Sequence, residues 1–73
     1  MIGPYTIGSI YYLPTTDRLT VLCDEIIAFT IDGASGLVSM YHHGPSTVIN
    51  QEIIRTMARL LKLRRRSIYT LDQ

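Results

Sequence analysis

Ile26-Ile27-Ala28-Phe29-Thr30-Ile31-Asp32-Gly33-Ala34-Ser35-Gly36-Leu37-Val38-Ser39-Met40-Tyr41-His42 decides the fold. Ile27, Phe29 and Ile31 alternate with Ile26, Ala28 and Thr30, so both faces of this run are apolar, as in a central strand. Asp32-Gly33-Ala34-Ser35-Gly36 then breaks the pattern with residues that turn the chain at little steric cost, and predicts a hairpin. Leu37–His42 is the returning strand, with Val38 and Met40 opposite Leu37, Ser39 and Tyr41. Gly44-Pro45-Ser46 closes the sheet region.

Upstream, Leu19–Cys23 is a strand with Leu19, Val21 and Cys23 on one face, and Asp24-Glu25 reads as a bulge or short turn before the next. Tyr5–Leu13 reads as the first strand. Its odd positions (Tyr5, Ile7, Ser9, Tyr11, Leu13) are more apolar than its even ones, Pro14 ends it, and Thr15–Arg18 turns the chain. Downstream, Asn50 is placed to cap a helix, with Ile49 and Ile54 at the positions of a hydrophobic staple. Ile53, Ile54, Met57, Ala58, Leu60 and Leu61 share one face of that helix, and Arg55, Arg59, Lys62 and Arg66 the opposite one. Arg64 falls in the apolar arc, so the pattern predicts that the helix frays or ends near residues 63–65, with strand-like alternation over 67–71. The expected architecture is α+β: an antiparallel sheet of three to four strands followed by one amphipathic C-terminal helix. Residues 1–66 make one domain and 67–73 a tail that is mobile or adds to a sheet edge.

The chain has 73 residues, 47% hydrophobic and 18% charged. That suits one small folded domain and argues against disorder. No apolar run reaches the roughly 18 residues of a membrane span, and the first residues carry no basic, apolar leader. A soluble, cytoplasmic protein without membrane contact is expected. The single cysteine excludes an internal disulfide and a thiolate metal cluster.

The net charge of +1 hides a segregation. Residues 1–54 hold five acids and one base; residues 55–73 hold six bases (Arg55, Arg59, Lys62, Arg64, Arg65, Arg66) and one acid. This one-signed stripe suits phosphates or carboxylates, which the arginine fork binds in pairs, and marks those six as candidate contacts for nucleic acid or an acidic partner. The plainer reading is a solvated helix face. The five tyrosines suit a protein interface or a core edge better than base stacking.

His42 and His43 are adjacent on a strand and point to opposite faces, and Cys23 lies on an apolar face, so neither a metal site nor a nucleophile is expected. No phosphate-binding loop or dinucleotide fingerprint is present. The chain is read as no enzyme, with no cofactor, metal or small-molecule substrate.

Tyr41-His42-His43-Gly44-Pro45-Ser46 is similar to a short motif of bacterial Sm-like RNA chaperones, but over six residues only and with sheet and helix in reversed order, so it is set aside as chance. Strands followed by one amphipathic helix also resemble small flagellar regulators in layout. In size and layout the whole chain resembles small phage-encoded regulators that bind host RNA polymerase. That resemblance implies contact with a polymerase subunit in the host cytoplasm, inhibited initiation and modulated termination. It carries no residue across. Read from the residues themselves, as a small interaction protein, Ile10, Tyr11 and Tyr12 hold an apolar peptide while Asp24 and Glu25 meet the partner's basic residues. Direct nucleic-acid binding by the basic stripe is the alternative, and a homodimer covering an open face or edge is a further expectation.

Overall fold

The computed structural model of the chain describes the backbone of residues 1–24, 27–42 and 49–71, and the side chains of all of these but 42 and 68–71. Four strands, β1 (Ile7–Leu13), β2 (Arg18–Cys23), β3 (Ile27–Asp32) and β4 (Val38–His42), precede one helix, α1 (Gln51–Leu71). Each strand pairs antiparallel with the next in the order β1-β2-β3-β4, which leaves β1 and β4 as edges. This is the α+β layout expected from the alternation, with four strands. Glu25, Ile26, His43 and Gly44-Pro45-Ser46 lie outside the described residues.

The helix covers one face of the sheet. Leu19, Val21 and Cys23 from β2 and Ile27, Phe29 and Ile31 from β3 meet Ile53, Met57 and Leu61, which recur every four residues along α1. The N-terminal segment completes this core. Ile2 is fully buried, held by reciprocal backbone bonds with Tyr5 (3.0 Å each), and the Tyr5 ring packs 5.8 Å from that of Phe29. The apolar runs of the sequence announced every other member of the core; Ile2 sits outside any such run.

Local chemistry sets the turns and the helix start. The Asp32 carboxylate accepts from Ala34 N (3.2 Å) and Ser35 Oγ (3.1 Å), and Gly36 takes a φ of +74°, closing the β3–β4 hairpin. Asn50 caps α1: its Oδ1 accepts from Ile53 N at 3.0 Å.

Two expectations are corrected. First, α1 does not end near residues 63–65 but runs to Leu71, so residues 67–71 are helical and not a strand. No Gly or Pro follows Asn50 to stop it, and Arg, Lys and Leu are good helix formers. At about 1.5 Å per residue the helix spans about 31 Å, while the longest strand spans about 23 Å. Leu61 is the last buried side chain described on α1; beyond it the helix overhangs the sheet, so Arg64, though in line with the apolar arc, meets water.

Second, Ile10 and Tyr12 do not join Tyr11 on an exposed surface. β1 carries a bulge at Gly8: Ile7 pairs with Cys23 but Ser9 with Leu22. The extra residue reverses the alternation, so Ile7, Ile10 and Tyr12 face the helix side, opposite Cys23, Val21 and Leu19. Tyr11 and Leu13 face away.

Candidate binding surfaces

The second face of the sheet has no element over it among the described residues. Its side chains lie in cross-strand rows: Ser9, Leu22, Ala28 and Tyr41 in one, and Tyr11, Thr20, Thr30 and Ser39 in the next. The large apolar members are well exposed, Leu22 at 39%, Tyr11 at 57%, Leu13 at 58% and Tyr41 at 63%. Among the described strand residues the charges on this face are Arg18 and Asp32, directly opposite each other at one end. The strand alternation that buries Leu19 and Val21 thus presents a neutral patch of aromatics, aliphatics and hydroxyls on the far side.

The basic stripe is on the other side of the molecule. Arg55, Arg59, Lys62, Arg64 and Arg66 are exposed along α1. Among the described residues no acid pairs with Arg55, Arg59, Lys62 or Arg64. Arg55 and Arg59 also line a groove of about 530 Å³ between α1 and the start of β1, whose apolar walls are Met1, Ile7, Leu60 and Leu63. Glu52 stands at its N-terminal end.

Arg65 departs from the stripe. It is half-buried and reaches back over the sheet end to the β1–β2 turn, where its Nε donates to Asp17 Oδ1 at 2.9 Å and its Nη2 to Asp17 Oδ2. The Tyr12 hydroxyl donates to the same Asp17 Oδ1 at 2.5 Å, and Gly33 N to the Asp17 carbonyl at 2.8 Å. Asp17 holds a positive φ of 53°, which Asp tolerates better than most residues. The Arg65 guanidinium, helped by the Tyr12 hydroxyl, brings the Asp17 carboxyl down to about 2. The bond to Asp17 in turn raises Tyr12 above its ordinary range, with smaller contributions from burial and the carboxylate charge. A Cβ on Gly33 would stand 2.0 Å from Asp17 Oδ2 and 2.5 Å from Arg65 Nη2, so the clip needs glycine there. Arg65 and Tyr12, candidates for binding in the sequence, tie the helix to two turns instead. No spacing rule links residues 17 and 65; only the fold brings them together.

Of the other candidates, Asp24 is exposed with a φ of 50° at the end of β2, and Glu25 lies outside the described residues. Cys23 is fully buried; burial, with Asp24 adding, pushes its thiol up and away from reactivity. Among the described residues no three His, Cys, Asp or Glu side chains gather as metal ligands, and no helix is long and apolar enough to cross a membrane. Leu13 and Leu22 were missed as surface candidates, and Tyr41 was weighed only as one of five tyrosines suited to an interface or a core edge. The facing of β2, with Leu19, Val21 and Cys23 inward, was enough to place Leu22 outward. Comparison of the chain with family profiles, with curated proteins and with solved structures finds no match.

Proposed function

We propose that the chain is a non-enzymatic binding module whose open sheet face docks on an apolar surface of a larger protein. The observation that carries this reading is the uncharged pair of rows on the uncovered face that holds Tyr11, Leu22 and Tyr41, with Leu13 at its edge beside Arg18. A 73-residue domain has little stability to spare, and an exposed apolar patch of this kind is a common mark of an interaction site. Tyrosine, with Trp and Arg, is enriched among the anchors of such contacts.

Reach argues for a larger partner over a second copy. Four strands about 4.8 Å apart and about six residues long project roughly 380 Å². Doubled for side-chain relief, this only about matches the ~800 Å² per partner of a standard interface. A two-fold dimer through this face would be confined to it, whereas a larger partner reaches past it to the edges or the helix. Within this class, transcription machinery, a host RNA polymerase subunit in particular, is the partner proposed first, on the resemblance in size and layout alone.

A second reading is favoured by the unpaired Arg55, Arg59 and Lys62: direct nucleic-acid binding along α1. The two readings separate by capture from nuclease-treated bacterial lysate. Under the first, a defined protein is retained by wild type and by an Arg55, Arg59 and Lys62 to Ala variant, and is lost with Tyr11→Ser, Leu22→Ser and Tyr41→Ser combined. Capture that vanishes with nuclease overturns it in favour of the second. Nucleic-acid affinity would then fall by about 0.7–0.9 log units per log unit of salt for each phosphate contacted.

A further inference from the structure

The groove between α1 and β1 combines two features that neither reading above uses together. Its walls are apolar, from Met1, Ile7, Leu60 and Leu63, and its helix rim carries Arg55 and Arg59. Lys62 adds a third cation beside them, in a shallower hollow of about 300 Å³ that shares Arg55 and Arg59. We infer that this groove is a second docking site, and that its occupant is a short acidic segment of a partner protein bearing interspersed large apolar side chains. The inference does not rest on the sheet-face reading and concerns the opposite side of the molecule.

Charge complementarity selects the occupant. Glu52 offsets one cation at the N-terminal end, which leaves the Arg59 and Lys62 end of the groove positive and open to a carboxylate. Arginine forks can hold carboxylates in pairs. Phosphates of a nucleic acid would satisfy the same cations but would leave Met1 and Leu63 uncovered, at 75% and 53% exposure. Burying such side chains contributes about 25 cal/mol per Å² of apolar area, a gain open to a Leu or Phe of a peptide and not to a sugar–phosphate chain. The β1 edge beside the groove does not extend the sheet to an added strand, because the Gly8 bulge breaks its regular ladder at that end. The segment is therefore held by its side chains.

The test is fluorescence anisotropy on the full chain with three labelled probes. One is a short peptide of Asp and Glu interspersed with Leu and Phe, the second the same peptide with Ser for Leu and Phe, and the third a single-stranded oligonucleotide of equal charge. The first probe binds at least about tenfold more tightly than either other, a difference of about 1.4 kcal/mol. Combined Arg55→Glu and Arg59→Glu abolish the preference, Leu63→Ser weakens the first probe several-fold, and Tyr41→Ser leaves it unchanged. Far-UV circular dichroism confirms that each variant is folded. The inference is overturned if the Ser-substituted peptide binds as well as the first, if the oligonucleotide binds more tightly, or if Leu63→Ser has no effect on a folded chain. Retained peptide binding with a failed sheet-face capture, or the reverse, tells the two sites apart.

Discussion

The two faces of the sheet draw on the same four strands but differ in what lies against them. On one, Leu19, Val21, Phe29 and Ile31 are at most 3% exposed beneath Ile53, Met57 and Leu61. On the other, Leu22, Tyr11 and Tyr41 alternate with Thr20, Thr30 and Ser39 and remain in contact with water. The centre of the covered face is built from aliphatics, Cys23 and Phe29, which gain by being dry, with Tyr5 and Tyr12 packed at its margin. The open face mixes rings and hydroxyls, which tolerate water and also suit a protein surface. One face stabilises the fold; the other is the one proposed to meet a partner.

The sharpest break of this comparison is Phe29→Ala. Truncating a fully buried Phe costs about 3–5 kcal/mol, and a domain of this size rarely has more than about 3–5 in total. The variant is therefore largely unfolded at 25 °C by circular dichroism. A cooperative melt close to wild type would show that the covered face is not the main source of stability.

The Asp17–Arg65 clip gives the next effect, and a pH signature. Asp17 drops from an ordinary value of 3.8 to about 2 in the folded chain. A carboxylate lowered on folding contributes stability that is fully present above about pH 4 and is lost as the pH falls toward about 2. Thermal melts of wild type decline over that window, and Asp17→Asn removes this contribution to the decline. Gly33→Ala does the same by displacing the carboxylate and guanidinium. Because the pair is about one-third exposed, added salt shrinks the difference. Wild type and Asp17→Asn declining identically would mean that the clip contributes nothing.

Smaller still is the effect on stability of Tyr41→Ser or Leu22→Ser. Exposed substitutions usually change stability by about 0.5 kcal/mol or less, so the melting temperature moves little while partner capture is lost. Unfolding by Tyr41→Ser would move the open face into the core account. Arg64→Ala is smallest: exposed, without an acidic partner among the described residues and past the last buried turn of α1, it leaves both the melt and capture unchanged.

Much of this was legible in the sequence, for physical reasons. Alternation in β2 and β3, the Asp32–Gly36 hairpin and the Asn50 cap are local signals, and each holds in the fold. What was not legible depends on relations between distant residues. The bulge at Gly8 reverses the facing of β1, because a one-residue slip exchanges the faces, and so Ile10 and Tyr12 belong to the helix side. The end of α1 was misjudged because Arg64 breaks the apolar arc only where no sheet lies beneath it. Arg65 read as one more cation in a run, since its partner is 48 residues away. Both faces of β3 look apolar in sequence, and that pattern alone does not say which one the helix takes.

The most direct test of the account places a photo-crosslinking residue at position 41, on the open face, and for comparison at position 34, in the exposed β3–β4 turn. Each folded variant is irradiated in nuclease-treated lysate. The account predicts one defined adduct with a larger protein from position 41 and none of comparable yield from position 34. Equal, diffuse adducts from both positions would contradict it, as would an adduct at twice the mass of the chain, which would give the open face to a second copy.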